Sequence, residues 1–138
     1  ETLPIGKARV AREGADLTLI AHGAMVPRTL DAAERLSDED GVEAEVIDLL
    51  TISPLDDETF TESVRKTGRA VVVHEAHRSF GPGAEVIARL NEKSFWYLEA
   101  PVERVAGFDV TVPFFAREQE YLPQEDGIVS AARKALEA

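Results

Sequence analysis

The sequence predicts an α/β domain of three layers, in which a five-stranded mixed sheet is covered by helices on both faces. Strand-like apolar segments are followed by helix-like segments four times along the chain. The run Ala70–Val73 has no polar alternation, which is typical of a strand buried on both faces. Three of the helices lead to a following strand, and such crossovers produce parallel strands. One leading strand has no helix of its own, so we expect it to be antiparallel to the others.

The strands follow from short apolar segments bounded by turn residues. They are predicted at Lys7–Arg12, Leu17–Ala21, Val42–Leu50, Ala70–Val73 and Val102–Ala106. The first alternates basic residues with small or apolar ones, which indicates one solvated face and an edge position. The turn after it spans only residues 13–16, which predicts that the first two strands are antiparallel neighbours.

The helices follow from apolar positions spaced three or four apart. The first is expected to begin near Gly23 or Ala24 and to end at a polar loop over residues 37–41. The second has acidic residues at 56–58, basic residues at 65 and 66, and Gly68 just beyond. This order complements the helix dipole and supplies caps, so we interpret these carboxylates as structural.

The remaining helices follow the Gly81-Pro82-Gly83 turn and the end of a long connection from Gly107 to Pro123. Connections of this length tend to be functional or packed against a partner. An aromatic patch, Phe95–Leu98, precedes the last strand. Packing in the core or at an interface explains this patch more simply than ligand stacking.

Composition excludes several classes of function. The 138 residues suit one domain, and the net charge of -11 argues against nucleic acid as a partner. No apolar run approaches the ~18 residues of a membrane span. Cysteine is absent, which excludes disulfides and thiolate chemistry and is consistent with a cytoplasmic protein.

Two further expectations come from the composition and the start of the chain. The acidic residues outnumber the basic ones by 26 to 15, and only four of the basic residues are lysines. Such a composition is typical of a halophile, because high salt screens the repulsion between carboxylates. Glu1-Thr2-Leu3 is not a natural beginning, so we expect residues 1–138 to be a single domain from a longer protein.

The candidate chemistry lies in three histidines at predicted strand ends, His22, His74 and His77. Polar groups at the carboxyl ends of strands are where open α/β sheets place ligand or partner contacts. A metal site would need a third ligand and a helical i,i+3 spacing of His74 and His77. A His74–Glu75 acid–base pair is the second alternative, although neighbouring strand residues point to opposite faces. The third alternative is that the histidines bond to loops or to an adjoining domain.

The chain has no nucleophile elbow and no glycine-rich phosphate loop. We therefore predict no catalytic residue, no cofactor ligand and no metal ligand within these residues. From the residues alone, the chain is interpreted as a domain that assembles with others.

Several segments together resemble the transketolase carboxy-terminal domain. The resemblance is to the version found in β subunits of thiamine-diphosphate-dependent 2-oxo acid dehydrogenases of the pyruvate and branched-chain type. Leu50 stands where these proteins usually have Arg, and Pro27 stands where many have His. The segments that carry the resemblance are Leu3–Ala8, Glu13-Gly14, Leu17–Met25, Val46–Asp56, Lys66–Arg69, Val73–Ala76, Gly81–Glu85 and Tyr121–Pro123.

The resemblance implies a role in a larger oxidoreductase. The full enzyme would be an α2β2 heterotetramer that decarboxylates a 2-oxo acid and transfers the acyl group to lipoyl on an acyltransferase. Thiamine diphosphate and Mg²⁺ would be bound by the α subunit and by a β-subunit domain upstream of Glu1. This domain would hold subunits together and dock the binding domain of the dihydrolipoyl acyltransferase, and it would be inactive alone.

The resemblance also implies docking residues that are acidic or aromatic. The matching candidates are Asp109 and the end of the terminal helix at Ala138. Asp109 has an alternative role as a turn residue that caps its own loop. Assembly also predicts an exposed apolar patch, for which the candidates are Trp96, Phe114 and Phe115.

Two other functions remain open from the sequence. One is the same domain in a transketolase or a deoxyxylulose-phosphate synthase. The other is a free-standing regulatory module, which predicts a monomer that binds an anion at Gly23 or Gly81.

Overall fold

The structure, a computed structural model, describes residues 2–138. Its strands are β1 (Arg9–Arg12), β2 (Leu17–Ala21), β3 (Ala44–Asp48), β4 (Ala70–His77) and β5 (Glu103–Gly107). Its helices are α1 (Met25–Asp40), α2 (Asp57–Thr67), α3 (Pro82–Ser94), α4 (Glu118–Tyr121) and α5 (Glu125–Glu137). Single 3₁₀ turns occupy Phe95–Tyr97 and Phe115–Arg117.

The five strands form one mixed sheet in the order β1-β3-β2-β4-β5. The strand β1 is antiparallel to β3, and all other neighbours are parallel. The predicted fold class is therefore confirmed, and β1 lies at an edge as expected. The prediction that β1 and β2 are neighbours is wrong, because β3 lies between them. The turn between them packs at the beginning of β3, where the backbone N–H groups of Ala15 and Asp16 both donate to the carbonyl of Glu43, the residue before that strand.

Helices cover the sheet on both faces, which gives the three predicted layers. The helices α1 and α5 pack on one face, and α2 and α3 pack on the other. Alternate residues of each strand serve the two cores, as Leu19 and Ile20 of β2 illustrate. Both side chains are fully buried, as expected for a central strand of a parallel sheet.

Several boundaries differ from the predictions; the strand β3, for example, covers Ala44–Asp48 where Val42–Leu50 was predicted. The helix α1 continues through the predicted polar loop to Asp40, and Gly41 ends it with a φ of 67°. Arg133 of α5 forms ion pairs with Glu39 and Asp40, so these charged residues stabilise a last helical turn. The strand β4 continues four residues past Val73, because His77 still pairs with Gly107 beyond an irregularity in the register.

The helix α2 ends as predicted, with Gly68 at a φ of 73°. The carboxylate of Asp56, just before α2, accepts the backbone N–H of Ala8 and the hydroxyl of Thr59. Asp57 forms ion pairs with side chains of α3. None of the helices between residues 2 and 138 is long and apolar enough to cross a membrane.

Candidate functional site

The carboxyl edge of the sheet, meaning the ends of β2, β4 and β5 with the loops that follow them, contains most of the predicted site residues. The opposite end, where these strands begin, is the amino edge. Loops at the carboxyl edge of a parallel sheet can change in sequence and length without disturbing the strands. Ligands and partners therefore commonly bind there.

A pair of stacked histidines lies at the carboxyl edge. The ring centroids of His22 and His74 are 6.4 Å apart and the rings are inclined by 19°. His74 is 1 % exposed, and its Nδ1 donates to the carbonyl of Ala76 over 3.0 Å. The Nε2 atoms of both rings are buried without a hydrogen-bond partner among residues 2–138. The fold therefore buries both rings but leaves one nitrogen of each without a hydrogen bond.

Burial is the main influence on this pair, and it lowers the pKa of both histidines. The carboxylates of Glu75 and Asp48 act in the opposite direction on His22. For His74 the hydrogen bond to Ala76 opposes the shift, whereas His22 and Arg104 add to it. Both rings are accordingly neutral at pH 7.

His77 does not join His74, as a shared metal site would require. Its ring is exposed, and its Nε2 donates to the carbonyl of Val110 over 2.7 Å. The odd spacing of the two histidines along β4 places them on opposite faces of the strand. No three His, Cys, Asp or Glu side chains between residues 2 and 138 are grouped to hold a metal ion. Of the three alternatives, bonding to loops describes His77.

Asp109 connects two loops of the carboxyl edge. Its carboxylate accepts the backbone N–H of Ser79 over 2.9 Å and the Ser79 hydroxyl over 2.6 Å. Both hydrogen bonds lower the pKa of Asp109, and the one from the Ser79 hydroxyl has the larger influence. Asp109 therefore caps the turn between β4 and α3, 30 residues away in the sequence. The alternative from the sequence was that Asp109 caps its own loop.

Exposed aromatic side chains lie on the loops of this edge. Phe114 and Phe115 are 80 % and 93 % exposed, and Phe80, which the sequence did not single out, is fully exposed. Phe80 and Phe115 have φ values of 59° and 54°, a conformation unfavourable for bulky residues. Phe108 is also exposed. We call Phe80, Phe108, Phe114 and Phe115 the aromatic rim.

The other predicted partner residues lie at the amino edge. Ala138 follows the end of α5, whose Ala135 carbonyl accepts a hydrogen bond from Arg69 just before β4. Trp96, 91 % exposed, lies in the 3₁₀ turn between α3 and β5. The predicted exposure of Trp96, Phe114 and Phe115 is confirmed, but the single patch is wrong. The chain has two separate surfaces, and it does not bring Ala138 together with Asp109.

Two more buried polar atoms at the carboxyl edge have no hydrogen-bond partner among residues 2–138, Nε of Arg104 and the hydroxyl of Tyr121. Arg104 and Arg78 each donate to the backbone carbonyl of the other. Tyr121 packs edge-on against His77, with ring centroids 6.2 Å apart. Sequence reasoning missed both, because each depends on contacts between distant segments.

These features define a class of protein, an α/β domain with a five-stranded mixed sheet and exposed aromatic side chains on its loops. The model of the transketolase C-terminal domain family matches residues 6–128. The chain belongs to that family.

Individual relatives give a more specific comparison than the family model does. The chain is similar to the pyruvate dehydrogenase E1 component subunit beta of Bacillus subtilis (strain 168), with 49% identity over 136 residues. Its identity to the protein of the same name from Acholeplasma laidlawii is 46% over 136 residues. These alignments cover 99% of this chain, but only 42% and 41% of the relatives. The chain thus spans about two fifths of the curated relatives it matches.

A solved structure supports the family at the level of shape. It is described as a split gene transketolase, an inactive beta4 tetramer, and it is 33% identical with a TM-score of 0.84. The match covers 98% of this chain and 43% of that chain.

Proposed function

We propose that this chain is the carboxy-terminal domain of the β subunit of a thiamine-diphosphate-dependent 2-oxo acid dehydrogenase that acts on pyruvate. The observation that carries the proposal is 46% to 49% identity, along nearly the whole chain, to two pyruvate dehydrogenase β subunits. The full enzyme decarboxylates the 2-oxo acid and transfers the acyl group to lipoyl on an acyltransferase. Branched-chain 2-oxo acids are the alternative substrates, since the substrate pocket lies mainly outside this domain.

The role of the domain within that enzyme is assembly. Its partners are the α subunit and a second β subunit, and the two exposed apolar surfaces supply the area that such contacts bury. Thiamine diphosphate and Mg²⁺ act in the full enzyme. Because the cofactor ligands of the proposed enzyme belong to its α subunit and to another domain of its β subunit, no chemical step is assigned to residues 2–138, and the domain alone is expected to be inactive.

Docking of the acyltransferase binding domain involves Asp109, Phe114, Phe115 and Ala138. Because Ala138 lies at the opposite edge from the other three, a site that contains all four needs two copies of the domain. Both carboxylate oxygens of Asp109 already bond to Ser79. Asp109 therefore acts in this proposal by holding the β4–α3 turn beside the aromatic rim, with its charge facing basic groups of the partner.

The protein works in a cytoplasm of high salt. The net charge of -11 supports this, and the ion pairs that join α1 to α5 place several carboxylates next to arginines. Activity of the full enzyme is expected to rise with KCl up to molar concentrations.

The test of the activity uses the intact β subunit with its cognate α subunit, thiamine diphosphate and Mg²⁺ in molar KCl. Decarboxylation of pyruvate with acylation of lipoyl is expected, at a higher kcat/KM than for a branched-chain 2-oxo acid. Ketol transfer between sugar phosphates, without 2-oxo acid decarboxylation, would contradict the proposal. That outcome would favour the transketolase alternative, to which the name of the similar solved structure points.

The test of the docking site is sedimentation of the assembled enzyme with the acyltransferase binding domain. Asp109→Ala is expected to weaken binding more than tenfold, whereas Asp38→Ala, an exposed carboxylate on α1, leaves it unchanged. Asp109→Asn separates the roles, because the amide oxygen still accepts from Ser79 while the charge is lost. A monomer indifferent to every partner would instead favour the free-standing module.

A further inference from the structure

The stacked His22–His74 pair points to a conformational property that is independent of the proposed function. We propose that the pair makes the carboxyl edge acid-sensitive, so that proton uptake by either ring opens the turn between β4 and α3 while the amino edge keeps its structure. The turn comprises residues 78–81 and presents Phe80 of the aromatic rim.

The first step of the argument is that a proton on His74 has no acceptor. Since Nδ1 already donates to Ala76, the neutral ring carries its lone pair on Nε2, and a further proton must bind there. Nε2 has no hydrogen-bond partner within residues 2–138. A Cβ at Gly83 would lie 2.4 Å from Nε2, so the first turn of α3 fits closely against this face of the ring. Protonation would bury an unpaired N–H donor.

The second step concerns the charges that face the pair from each neighbouring element. Arg104 of β5 lies on the same side of Gly83, since its Cδ would be 3.3 Å from a Cβ at that position. The amino-terminal end of α3 adds a partial positive charge. Each ring also disfavours a proton on its neighbour. A cationic His74 would therefore be repelled from three directions.

Only His22 has nearby carboxylates, Asp48 of β3 and Glu75 of β4. They lessen the effect of burial on His22 without reversing it. Asp48 is already hydrogen-bonded to Arg9 over 2.8 Å, which reduces its influence on the imidazole. The first proton thus enters at His22 and places a cation against the neutral His74 ring.

Opening of the turn between β4 and α3 would relieve the cost of a buried charge on the pair. Gly81 and Gly83 bracket Pro82 at the beginning of α3, and both contact the His74 ring through positions that have no side chain. The turn is otherwise held at the surface by Asp109, which accepts both hydrogen bonds of Ser79. Moving the turn lets water reach the histidine pair and solvate the charge on either ring, and the strands themselves need not separate.

The experiment is hydrogen exchange of the intact protein at pH 7.5 and pH 5.5, corrected for the intrinsic pH dependence of exchange. Amides of residues 74–86 are expected to lose protection about tenfold at the lower pH. Amides of residues 60–70 at the amino edge are expected to keep their protection. Equal protection of residues 74–86 at both values would overturn the proposal.

The matched variants are the double substitution His22→Asn/His74→Asn and the single substitution His77→Asn. The double variant removes both titrating rings, and asparagine at position 74 retains a donor near the Nδ1 position for Ala76, so the pH effect is expected to disappear. His77→Asn, in the same strand but exposed, is expected to behave as the wild type. If the pH effect persists in the double variant, the pair is not its source. Should that variant not fold, NMR titration of the two wild-type rings decides, and ordinary histidine titration would refute the proposal.

Discussion

The two edges of the same sheet treat buried polar groups differently. At the amino edge, the Thr18 hydroxyl bonds to Ser63 over 2.8 Å and to Thr67 over 2.7 Å. Buried Glu45 accepts hydrogen bonds from Lys66 and from the backbone N–H of Gly14. All four polar side-chain atoms that are buried without a partner in residues 2–138 belong to groups at or next to the carboxyl edge.

Backbone conformation follows the same division. The three non-glycine residues with positive φ in the described chain, Leu50, Phe80 and Phe115, each lie beyond the carboxyl end of a strand. Strain and unsatisfied polar groups lower stability, so they persist where another requirement outweighs stability. The comparison teaches that buried polar groups are paired at the amino edge, whereas strain and unpaired polar groups are concentrated at the carboxyl edge. Four predictions test this division, in order of decreasing effect.

Gly14→Ala should have the largest effect, because a Cβ at this position would lie 2.3 Å from backbone atoms of residues 44 and 45. Backbone cannot rotate away as a side chain can, so we expect a loss of about 3 kcal/mol in the free energy of unfolding. Chemical denaturation of the chain measures it. The control is Gly127→Ala in α5, where the nearest side-chain atom is 3.8 Å away. Helix propensity should make that change neutral or stabilising by up to about 1 kcal/mol.

Thr18→Val removes the hydroxyl at the centre of the amino-edge network, and its expected cost is about 2 kcal/mol. The carboxyl-edge counterpart is Tyr121→Phe, which removes a buried hydroxyl that has no partner among the described residues. Tyr121→Phe should leave the free energy of unfolding unchanged or raise it by about 1 kcal/mol. If Tyr121→Phe lowered the free energy of unfolding as much as Thr18→Val does, the difference between the two edges would be contradicted.

Glu45→Gln should show a cost that depends on pH. Burial opposes ionisation of Glu45, but the hydrogen bonds from Lys66, Ser63 and Gly14 together outweigh it and lower its pKa. A carboxyl with a lowered pKa stabilises the fold above its ordinary pKa, and this contribution disappears as the pH falls through the lowered value. We expect Glu45→Gln to cost about 1 kcal/mol at pH 7 and little at pH 3. Denaturation at both pH values measures this, with exposed Glu34→Gln as control.

Phe115→Asn should have the smallest effect and the opposite sign. Asparagine tolerates the positive φ of 54°, and exposed Phe115 has little burial to lose, so a gain of about 0.5 kcal/mol is expected. The neighbouring Phe114 has an ordinary φ of -96°, so Phe114→Asn should give no gain. A similar gain from both variants would show that removing an exposed aromatic group, and not relief of strain, is responsible.

Local patterns predicted the parts of the fold that local physics determines. The strand β2 has its predicted bounds, because five consecutive strand-forming residues are all buried. The end of α2 was predictable from Arg65, Lys66 and Gly68. The position of β1 was not, because its partner is chosen by the packing of the 13–16 turn on Glu43. Similarly, Glu39 and Asp40 indicate a loop when only neighbouring residues are considered, because their ion-pair partner, Arg133, is distant in the sequence.

The site was predictable as a location and not as a set of contacts. Polar residues at strand ends indicated the carboxyl edge, and Asp109 lies there. Its partner Ser79 and the stacking of His22 on His74 join segments 30 or more residues apart, and no spacing in the sequence encodes them. Phe80 escaped notice because its significance comes from its φ and exposure together.

In the proposed assembly, the placement of Ala138 and Trp96 at one edge, with Asp109 and Phe115 at the other, would make the domain a spacer of fixed length. The five residues of β2 alone extend over roughly 17 Å at the usual rise of a strand. A small partner seated at one edge leaves the other sterically open, so two binding events need not compete. Because the intervening sheet is fully packed, the domain would keep two bound neighbours at a constant separation and orientation.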